Sequence, residues 1–331
     1  MSNITIKDIA NALGISNSTV SRALRDSYEI SEQTKAKVIE YAKSVNYHPN
    51  PIALSLRENK SYSIGVIVPE IANNYFSEVI NGIDSVASQH GYHVVIYQTH
   101  ESYEREISTI QHVLSRKADG LIISLSVETN DFAHLHSAME DNFPIIFFDR
   151  VPPIENCFKV VSDNYQGAYN ATSHLITQGK RRIAHITSPP VLSITRERLA
   201  GYKAALNDNN IEVDEQLIRY CGFEPKDAFE TIDELIKNQK PDSIFVCSDR
   251  LALNCLEAIK NNTGEESKNL GLIGYTNLKT ANLLYTPLST IRQPAFEMGV
   301  RAAELLIKIL ESKNRKVEFQ TITLKNELLI R

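Results

Sequence analysis

A short polar segment near the amino terminus carries side chains that can hydrogen-bond to the edges of DNA bases. Its apolar residues recur at helical spacing. The opposite, polar face of the same helix would carry Asn17, Ser18, Ser21 and Arg22. An arginine can donate two hydrogen bonds to guanine and an asparagine can pair similarly with adenine, each at about 1–3 kcal/mol of discrimination. The pattern favours a helix that reads the major groove, although a polar face in contact with solvent alone would have the same composition.

Three helices would position that face. Thr5 and Ser16 are suited to begin helices, because their side chains can accept a hydrogen bond from an unpaired backbone N–H. Gly14 ends the first apolar run, and the second helix is predicted over 17–24. A third helix is predicted to begin at Ser31. Its inward-facing residues are predicted to be Val38, Ile39, Ala42 and Val45. This order, with a glycine-containing turn between the first two helices, is the layout of a helix-turn-helix motif.

A fourth, very short helix is predicted after these three. Asn50 can cap it, and Pro51 suits its first position, where a missing backbone N–H costs nothing. Only about seven helical residues follow. Because nucleation is costly, a helix this short is marginal in water, and we expect it to become ordered against a partner surface. A linker with one helical turn is the simpler alternative.

Beyond residue 60 the chain alternates between short β-type runs and helical stretches. The predicted strands are 64–68, 94–97, 121–123, 145–148, 183–187, 244–247 and 270–274. Most of these runs are apolar throughout, which is typical of parallel sheets covered by helices on both faces. The number of units is large for one open sheet. We therefore predict an α/β body of two similar lobes with a cleft between them.

Polar and aromatic residues follow several of the predicted strands. Ligands of open α/β sheets bind beyond the carboxyl ends of the strands. The residues in such places are Asn73, Asn74, Tyr75, Phe76, Asp149, Arg150, Ser248 and Asp249. Aromatic rings together with charged hydrogen-bonding groups would suit a sugar. Structural roles are equally available, since Asp249 can cap a helix, Phe76 can join the core and Arg150 can pair with a carboxylate.

Sequence blocks in a fixed order extend this pattern over nearly the whole chain. In the first sixty residues they are Thr5-Ile6-Lys7-Asp8-Ile9-Ala10, Gly14-Ile15-Ser16, Thr19-Val20-Ser21-Arg22-Ala23-Leu24, Asn46-Tyr47-x-Pro49-Asn50 and Ala53-x-Ser55-Leu56-Arg57. In the body they are 65–69, 119–122, 149–150, 198–202 and 288–294. The set closely resembles the lactose/galactose repressor (LacI/GalR) family of bacterial transcription regulators.

The resemblance implies a domain organisation and a DNA target. It implies an all-α helix-turn-helix headpiece over 1–49, a hinge helix and linker over 50–60, and an effector-binding core of periplasmic-binding-protein type over 61–331. A homodimer would bind a pseudo-palindromic, double-stranded operator, with recognition helices in the major groove and hinge helices in the central minor groove. The implied DNA contacts are Thr5, Ser16, Asn17, Ser18, Thr19, Ser21, Arg22, Asn50, Ile52, Ala53, Leu54, Ser55, Leu56 and Arg57.

Leu56 holds a particular place in that hinge. The resemblance implies that its apolar side chain is the wedge that partly unstacks the central base step and kinks the duplex. Leu54 departs from the commoner pattern of the family, in which the corresponding residue is often polar. The resemblance therefore does not define which DNA contacts are made next to Leu56.

The resemblance also completes the predicted effector site with Arg198, Phe223 and Thr276. The N-lobe would contain about 61–161 and 292–321, and the C-lobe about 162–291 and 322–331, with three chain crossings between them. Thr276 stands where many family members carry an aspartate, and a hydroxyl cannot accept a bidentate pair of hydrogen bonds. The expected effector is a small molecule, a sugar or sugar derivative, and an inducer or a corepressor could use the same residues.

No motif of an enzyme or of a metal site stands out in the sequence. The patterns G-x-S-x-G, H-E-x-x-H, G-x-x-x-x-G-K-[ST] and G-x-G-x-x-G after a strand do not occur. The four cysteines include no C-x-x-C pair, and we interpret them as buried thiols. We interpret His90, His93, His100, His112, His134 and His136 as solvated side chains. The sequence predicts no catalysis, no cofactor and no metal ion.

Charge and composition are those of an ordinary folded protein with a positive arm. The chain has 331 residues, 42% of them hydrophobic, and a formal net charge of −5. Residues 1–60 carry +2 and the rest −7, so the positive charge lies where the helix-turn-helix is predicted. No export signal or membrane segment is evident, and we expect a cytoplasmic protein without a membrane partner. A transport-type binding protein or a transcription activator are the alternatives to a repressor.

Overall fold

The structure, a computed structural model, describes residues 4–47, 60–262, 270–283, 288–312 and 317–331. The chain divides into two compact units, Met1–Ser61 and Tyr62–Arg331. Each unit has its own hydrophobic core, so each can be understood from its own residues.

The first unit contains helices α1 (Ile6–Leu13), α2 (Asn17–Ala23) and α3 (Glu32–Ser44). Gly14 ends α1 in a left-handed conformation with φ 65°, which glycine adopts without a steric penalty. The buried core between the helices consists of Ile9, Ala10, Val20, Ala23, Val38 and Ala42. The predicted helix-turn-helix with a bracing third helix is confirmed.

One core prediction for α3 is wrong. Ile39 is 39% exposed, whereas Val38 and Ala42 are buried. Val38 and Ala42 are four positions apart and share a face of the helix, and a residue one position further on lies about 100° around the axis. The inward face of α3 is therefore narrower than the sequence suggested.

The second unit is built from twelve strands and eight α-helices within its described residues. The strands are β1 (Ser63–Val68), β2 (His93–Gln98), β3 (Gly120–Ile123), β4 (Ile145–Phe148), β5 (Phe158–Ser162), β6 (Ile183–Thr187), β7 (Ile218–Tyr220), β8 (Ser243–Val246), β9 (Gly271–Tyr275), β10 (Ser289–Arg292), β11 (Thr321–Leu324) and β12 (Glu327–Leu329). The helices are α4 (Asn74–Ala87), α5 (Tyr103–Ser115), α6 (Ala133–Glu140), α7 (Asn164–Thr177), α8 (Ser193–Asp208), α9 (Pro225–Glu234), α10 (Asp249–Asn261) and α11 (Ala295–Glu311).

Two six-stranded sheets organise this unit. The order in the first is β11-β5-β4-β3-β1-β2, and the order in the second is β12-β10-β9-β8-β6-β7. All neighbouring strands are parallel except β12, which runs antiparallel to β10. We call the first sheet with α4, α5, α6 and α11 the N-lobe, and the second sheet with α7 to α10 the C-lobe. The predicted α/β class with two lobes of parallel strands is confirmed.

The chain passes between the sheets three times in the described residues. It leaves the first sheet after Ser162, returns to the N-lobe after Arg292 through α11, and leaves again after Leu324. The carboxyl ends of several strands therefore meet where the lobes face each other. The hinge helix predicted from Asn50 lies outside the described residues.

Close helix pairs pack against the sheets of both lobes. In the N-lobe, α4 and α11 cross at Gly82 and Gly299, and a Cβ on Gly82 would overlap the backbone oxygen of Phe296. In the C-lobe, a Cβ on Gly201 of α8 would overlap the backbone oxygen of Tyr165 in α7. Glycine at these crossings permits direct backbone contact, which holds each lobe as a rigid support for the loops at its strand ends.

Candidate functional site

The polar face of α2 is available to solvent in the first unit. Ser16 begins the helix, since its Oγ accepts a hydrogen bond from the Thr19 backbone N–H at 3.1 Å. The exposed or half-exposed residues here are Ser16, Asn17, Ser18, Thr19, Ser21 and Arg22. Val20 and Ala23 are buried on the opposite side. The structure therefore brings the predicted base-reading side chains together on one exposed surface.

Thr5, also predicted as a DNA contact, is engaged in a cap at the start of α1. Its Oγ1 accepts from the Asp8 backbone N–H at 3.4 Å, and its own N–H donates to Asp8 Oδ2 at 2.8 Å. Hydrogen bonds from Thr5 lower the pKa of Asp8. The capping box fixes the approach of the chain to α1, and Thr5 remains exposed.

Two charged residues that sequence reasoning missed adjoin the recognition face. Glu29 Oε2 lies 3.1 Å from Arg22 Nε, and both side chains are about half exposed. Arg25 donates to Ser21 Oγ at 2.8 Å and to the Ser21 backbone oxygen at 3.1 Å. The four-residue spacing of Ser21 and Arg25 could have indicated their contact. Nothing in the sequence indicates that Glu29, on the turn before α3, reaches Arg22.

Half of the predicted DNA contacts belong to the hinge. Those residues are Asn50, Ile52, Ala53, Leu54, Ser55, Leu56 and Arg57. They lie outside the described residues, so their DNA contacts stay predictions.

Arg150 is a central residue of the cleft between the lobes. It follows β4, is 7% exposed, and donates from Nη1 to Glu101 Oε2 at 2.6 Å. Its guanidinium carbon lies 6.0 Å from the ring centre of Phe76 in the N-lobe and 5.5 Å from that of Phe223 in the C-lobe. The structure therefore brings these three predicted residues together, with a buried cation between two aromatic rings. The predicted alternative, a carboxylate partner for Arg150, is present as well.

Arg198 is 2% exposed and is held mainly by the C-lobe itself. Its Nε donates to Asn164 Oδ1 at 2.9 Å, and its Nη1 donates to the Cys247 backbone oxygen at 2.5 Å. The guanidinium carbon stands 3.9 Å from the ring centre of Tyr275. The buried Nη2 has no hydrogen-bond partner among the described residues. The hydrogen bonds and the ring contact of this side chain are therefore made within the C-lobe, and its role as a ligand contact stays a prediction.

The two predicted carboxylates of the cleft are engaged by other side chains. Asp149 accepts from Gln293 Nε2 at 3.3 Å, and its backbone is left-handed with φ 57°. Asp249 accepts from the hydroxyl of Thr276 and from the Asn277 backbone N–H at 3.1 Å. Burial raises the pKa of Asp249. Thr276 stands at the position where many family members were expected to carry an aspartate. Its hydroxyl donates to the Asp249 carboxylate.

Four predicted residues at the start of α4 have separate environments. Asn73 caps the helix, because its Oδ1 accepts from the Tyr75 backbone N–H at 2.8 Å, and Asn74 is exposed. Phe76 lies in the N-lobe core, edge-on to Phe148. The hydroxyl of Tyr75 donates to Met298 Sδ at 3.2 Å, and burial followed by the charge of Asp149 raises the pKa of Tyr75. Core and capping roles account for Asn73 and Phe76.

A cavity of about 240 Å³ opens at the ends of β3, β4 and β6. Its lining consists of Leu125, Ser126, Thr129, Asn130, Phe132, Arg150, Val151, Pro153, Val191, Leu192, Ser193 and Arg196. Of the predicted effector residues, Arg150 alone is in this described lining. The residues after β3 and β6 were missed, although the strand-end rule that selected Asp149 and Arg150 applies to them equally.

A second cavity, of about 480 Å³, lies beside β10 and includes Thr276 in its lining. It also contains Glu78, Lys279, Arg292, Glu297 and Arg331. Two carboxylates and three cations share its wall, so side chains of both charge signs line this cavity. The 240 Å³ cavity is the better candidate for a selective effector site.

Two carboxylates fix the loop that follows β3 and lines the smaller cavity. Glu106 is fully buried and accepts from the Ser126 backbone N–H at 2.7 Å and from Thr129 Oγ1 at 3.0 Å. Glu101 accepts from the Val127 backbone N–H at 2.9 Å. These hydrogen bonds fix the conformation of the loop. If the loop moved, the buried carboxylate of Glu106 would lose its donors, which would cost free energy of folding.

His134 corrects part of the histidine interpretation. Its side chain is buried, with Nε2 3.0 Å from Glu106 Oε1, so it is not a solvated residue. The other five, His90, His93, His100, His112 and His136, are exposed as predicted. A polar residue on α6 was assigned to solvent because its partner, 28 positions earlier in the chain, cannot be read from local spacing.

Metal and membrane features are lacking in the described part of the chain. No cluster of three or more His, Cys, Asp or Glu side chains there could hold a metal ion. None of the described helices is long and apolar enough to cross a membrane. The four cysteines are buried free thiols, and burial raises the pKa of Cys247 to about 12, so its thiolate is disfavoured.

Comparison with known families gives matches to both units. A family profile described as bacterial regulatory proteins, lacI family, matches residues 5–50. A second, described as periplasmic binding proteins and sugar binding domain of LacI family, matches residues 61–327. The HTH-type transcriptional repressor PurR of Histophilus somni (strain 2336) is 30% identical over 328 residues, which is 99% of this chain and 98% of that protein.

Solved structures show the same fold. The lac repressor dimer bound to operator and the anti-inducer ONPF has a TM-score of 0.86 at 24% identity, covering 100% of this chain and 98% of that one. The complex of the transcriptional regulator CelR with cellobiose has a TM-score of 0.74 at 24% identity, covering 99% of both chains. At this level of identity the likeness establishes architecture.

Proposed function

The chain belongs to the LacI family of bacterial regulatory proteins, and we propose that it is a cytoplasmic repressor whose affinity for an operator is controlled by a small molecule. The observation that carries the proposal is the exposed polar face of α2, joined in one chain to a two-lobed body. A repressor is proposed over an activator because the relative at 30% identity is named a repressor. The amino-terminal unit would bind DNA and the body would bind the effector.

Arg22 is proposed as the principal base-reading residue of each headpiece. Its guanidinium is exposed on α2, and the Glu29 carboxylate at 3.1 Å restricts its orientation. An oriented arginine loses less side-chain entropy when it pairs with guanine O6 and N7. Glu29 would act as a positioning residue, and its negative charge also disfavours wrong placement of this surface against phosphate.

Arg22→Ala is expected to lower the preference for one base pair in each half-site by about 1–3 kcal/mol, or roughly 5- to 150-fold. The measurement is selection of bound sequences from a random DNA pool, followed by titration of the selected operator. Lys37→Ala removes an exposed charge from α3 of the same unit and is the matched control. We expect the control to keep the selected sequence. An unchanged base preference in Arg22→Ala would refute the base-reading role.

The hinge is proposed to add a second, minor-groove contact. Leu56 would unstack the central step, at a cost of a few kcal/mol that is offset by the larger contact area of the bent duplex. The predicted helix from Asn50 has too few residues to be stable alone, so its ordering would accompany operator binding. Specific and non-specific DNA would then differ in how much hinge structure they induce.

The effector is proposed to act through contacts that cross between the lobes of the body. Arg250 Nη2 of the C-lobe lies 3.4 Å from Glu70 Oε2 of the N-lobe, and Asn277 donates across to Glu78 at 3.1 Å. Reversal of a 1:99 population requires about 5.5 kcal/mol of differential affinity. Hydrogen bonds to charged groups contribute about 1.5–3 kcal/mol each, so a few contacts made in one lobe arrangement alone would suffice.

A homodimer is proposed because a two-fold operator requires two headpieces in symmetric positions. The edge strands β2 and β7 each pair with one neighbour in the described sheets. Apolar side chains are exposed on both, Val95 and Ile96 on β2 and Tyr220 on β7. Exposed apolar edge strands are poorly tolerated on a monomer and are expected to be covered by a partner subunit.

A further inference from the structure

The 240 Å³ cavity between the lobes has two arginines and no carboxylate in its described lining. We propose that its ligand is an anionic small molecule, a phosphate ester or a carboxylate, whose oxyanion lies between Arg150, Arg196 and the amino terminus of α8. The inference rests on the proposed function only in that the anion would be the effector. It concerns the described lining and does not depend on the headpiece.

The charges of the lining are all of one sign. Arg150 and Arg196 are its ionisable members, and no aspartate or glutamate is among the described residues that form the wall. Hydroxyl groups of Ser126, Thr129 and Ser193 supply further donors. Arginine forks and hydroxyl donors match the oxygens of a phosphate or carboxylate, and bonds to such ionised acceptors are roughly twice as strong as neutral ones.

The start of α8 adds backbone donors to this wall. The helix has 16 residues, and Leu192 at its N-cap supplies no side-chain acceptor for the first N–H groups. No acidic residue stands in its first turn either. Four of the eight described α-helices of this unit differ, since Asn73, Ser102, Asp163 and Ser248 cap them with a side-chain oxygen. Leu192 and Ser193 line the cavity, so an oxyanion there can accept from an uncapped helix terminus.

Arg150 brings a largely buried guanidinium to the wall of the cavity. The residue is 7% exposed and lines the cavity. Its Nη1 donates to Glu101 Oε2 and to the Leu125 backbone oxygen, which fixes the position of the guanidinium. A charge held away from water in this way attracts an oxyanion more strongly than a solvated one does.

Arg196 is placed to complete the anion site at the mouth of the cavity. Its Nη1 donates to the Pro190 and Val191 backbone oxygens at 3.0 and 2.8 Å, which holds the guanidinium beside the start of α8. The residue is exposed, so it can be replaced without opening the core. It is the best position for a test variant.

A neutral sugar fits this lining less well. Carboxylates are the strongest acceptors for sugar hydroxyls, yet Asp149 is bound to Gln293, and Asp249 is bound to Thr276 and Asn277. Neither carboxylate belongs to the described wall of the cavity. The volume is also below the roughly 300–1,000 Å³ of sites for drug-sized ligands, which indicates a compound about the size of a monosaccharide. Charge, and not the number of hydroxyls, is therefore the feature that the site selects.

The test is calorimetric and thermal-shift titration of the full chain with inorganic phosphate, glucose 6-phosphate, glucuronate and glucose. Glucose, glucose 6-phosphate and glucuronate share a pyranose ring and differ in charge. Comparison of glucose 6-phosphate with glucuronate shows whether the site prefers a phosphate or a carboxylate. We expect the anions to raise the melting temperature and glucose to leave it unchanged. Binding of glucose as tight as that of its anionic partners, or no response to any anion, would overturn the inference.

Arg196→Gln is expected to weaken anion binding by roughly tenfold or more, because one charge-assisted contact is lost. Arg301→Gln, an exposed arginine on α11 that is paired with Glu297 and Glu304, is the control and should bind anions as the parent chain does. Equal binding by Arg196→Gln and the control would contradict the assignment. Gel-shift titration with the selected operator, with and without the anion, gives the separate readout: a parent chain that binds no operator DNA in either condition would refute the proposed regulator, whatever its affinity for anions.

Discussion

Arg198→Met is expected to lower the free energy of unfolding of the body by about 3–5 kcal/mol, since two buried acceptors each lose a hydrogen bond from a charged donor at about 1.5–3 kcal/mol. The acceptors are Asn164 Oδ1 and the Cys247 backbone oxygen. The contact with the Tyr275 ring is lost as well, and a desolvated contact of this kind contributes about 2 kcal/mol. Methionine retains the length of the side chain and little of its bonding.

Urea unfolding followed by circular dichroism measures this change as a shift in the transition midpoint. Arg105→Met is the matched control, because it makes the same substitution at an exposed position on α5 of the same unit. Surface substitutions of this type change stability by less than about 0.5 kcal/mol. If Arg198→Met were as stable as the control and had lost only ligand affinity, Arg198 would be a ligand residue first, as the sequence predicted.

The headpiece was largely predictable because its structural determinants are local. Thr5, Ser16 and Ser31 each cap a helix within three residues of their own position, and Gly14 ends α1 through its own backbone conformation. Helix spacing then determines which side chains of α2 can be buried. Ile39 shows the limit, since the width of a buried face depends on the neighbouring helices and not on the period alone.

The cleft was less predictable because its chemistry depends on distant partners. Asp149 is bound by Gln293, 144 positions later, and Asp249 by Thr276, 27 positions later. Those contacts convert two expected ligand carboxylates into internal ones. The strand-end rule pointed to the region between the lobes, but it could not show which polar groups are already hydrogen-bonded within the protein.

The strand-end rule itself would have found more of the cavity if it had been applied to every strand. Ser126 and Thr129 follow β3, and Ser193 and Arg196 follow β6. Short polar side chains in these loops have no distinctive spacing, so composition alone gives them no weight. For the loop after β3, the contacts that fix its shape come from Glu101 and Glu106, whose carboxylates accept from its backbone N–H groups.

The proposed dimer leads to the second large effect. Ile96→Asp is expected to convert a dimer to a monomer, because Ile96 is 41% exposed on the edge strand β2 and a carboxylate buried there in a subunit interface would lack a partner. Two headpieces joined in one dimer bind as if the second were at high effective concentration. Their separation is expected to reduce operator affinity by roughly 10²- to 10⁴-fold, since that is the usual gain from linking two binding modules.

Analytical ultracentrifugation measures the mass, and a gel shift with full and half operators measures the affinity. Ile330→Asp is the control, since it makes the same substitution at an isoleucine that is 64% exposed, beside β12 at an edge of the other sheet. We expect Ile330→Asp to remain a dimer and to bind the full operator. Ile96→Asp should bind full and half operators with similar, weak affinity, because a single headpiece cannot use the second half-site. A dimeric Ile96→Asp would move the proposed interface away from the β2 edge.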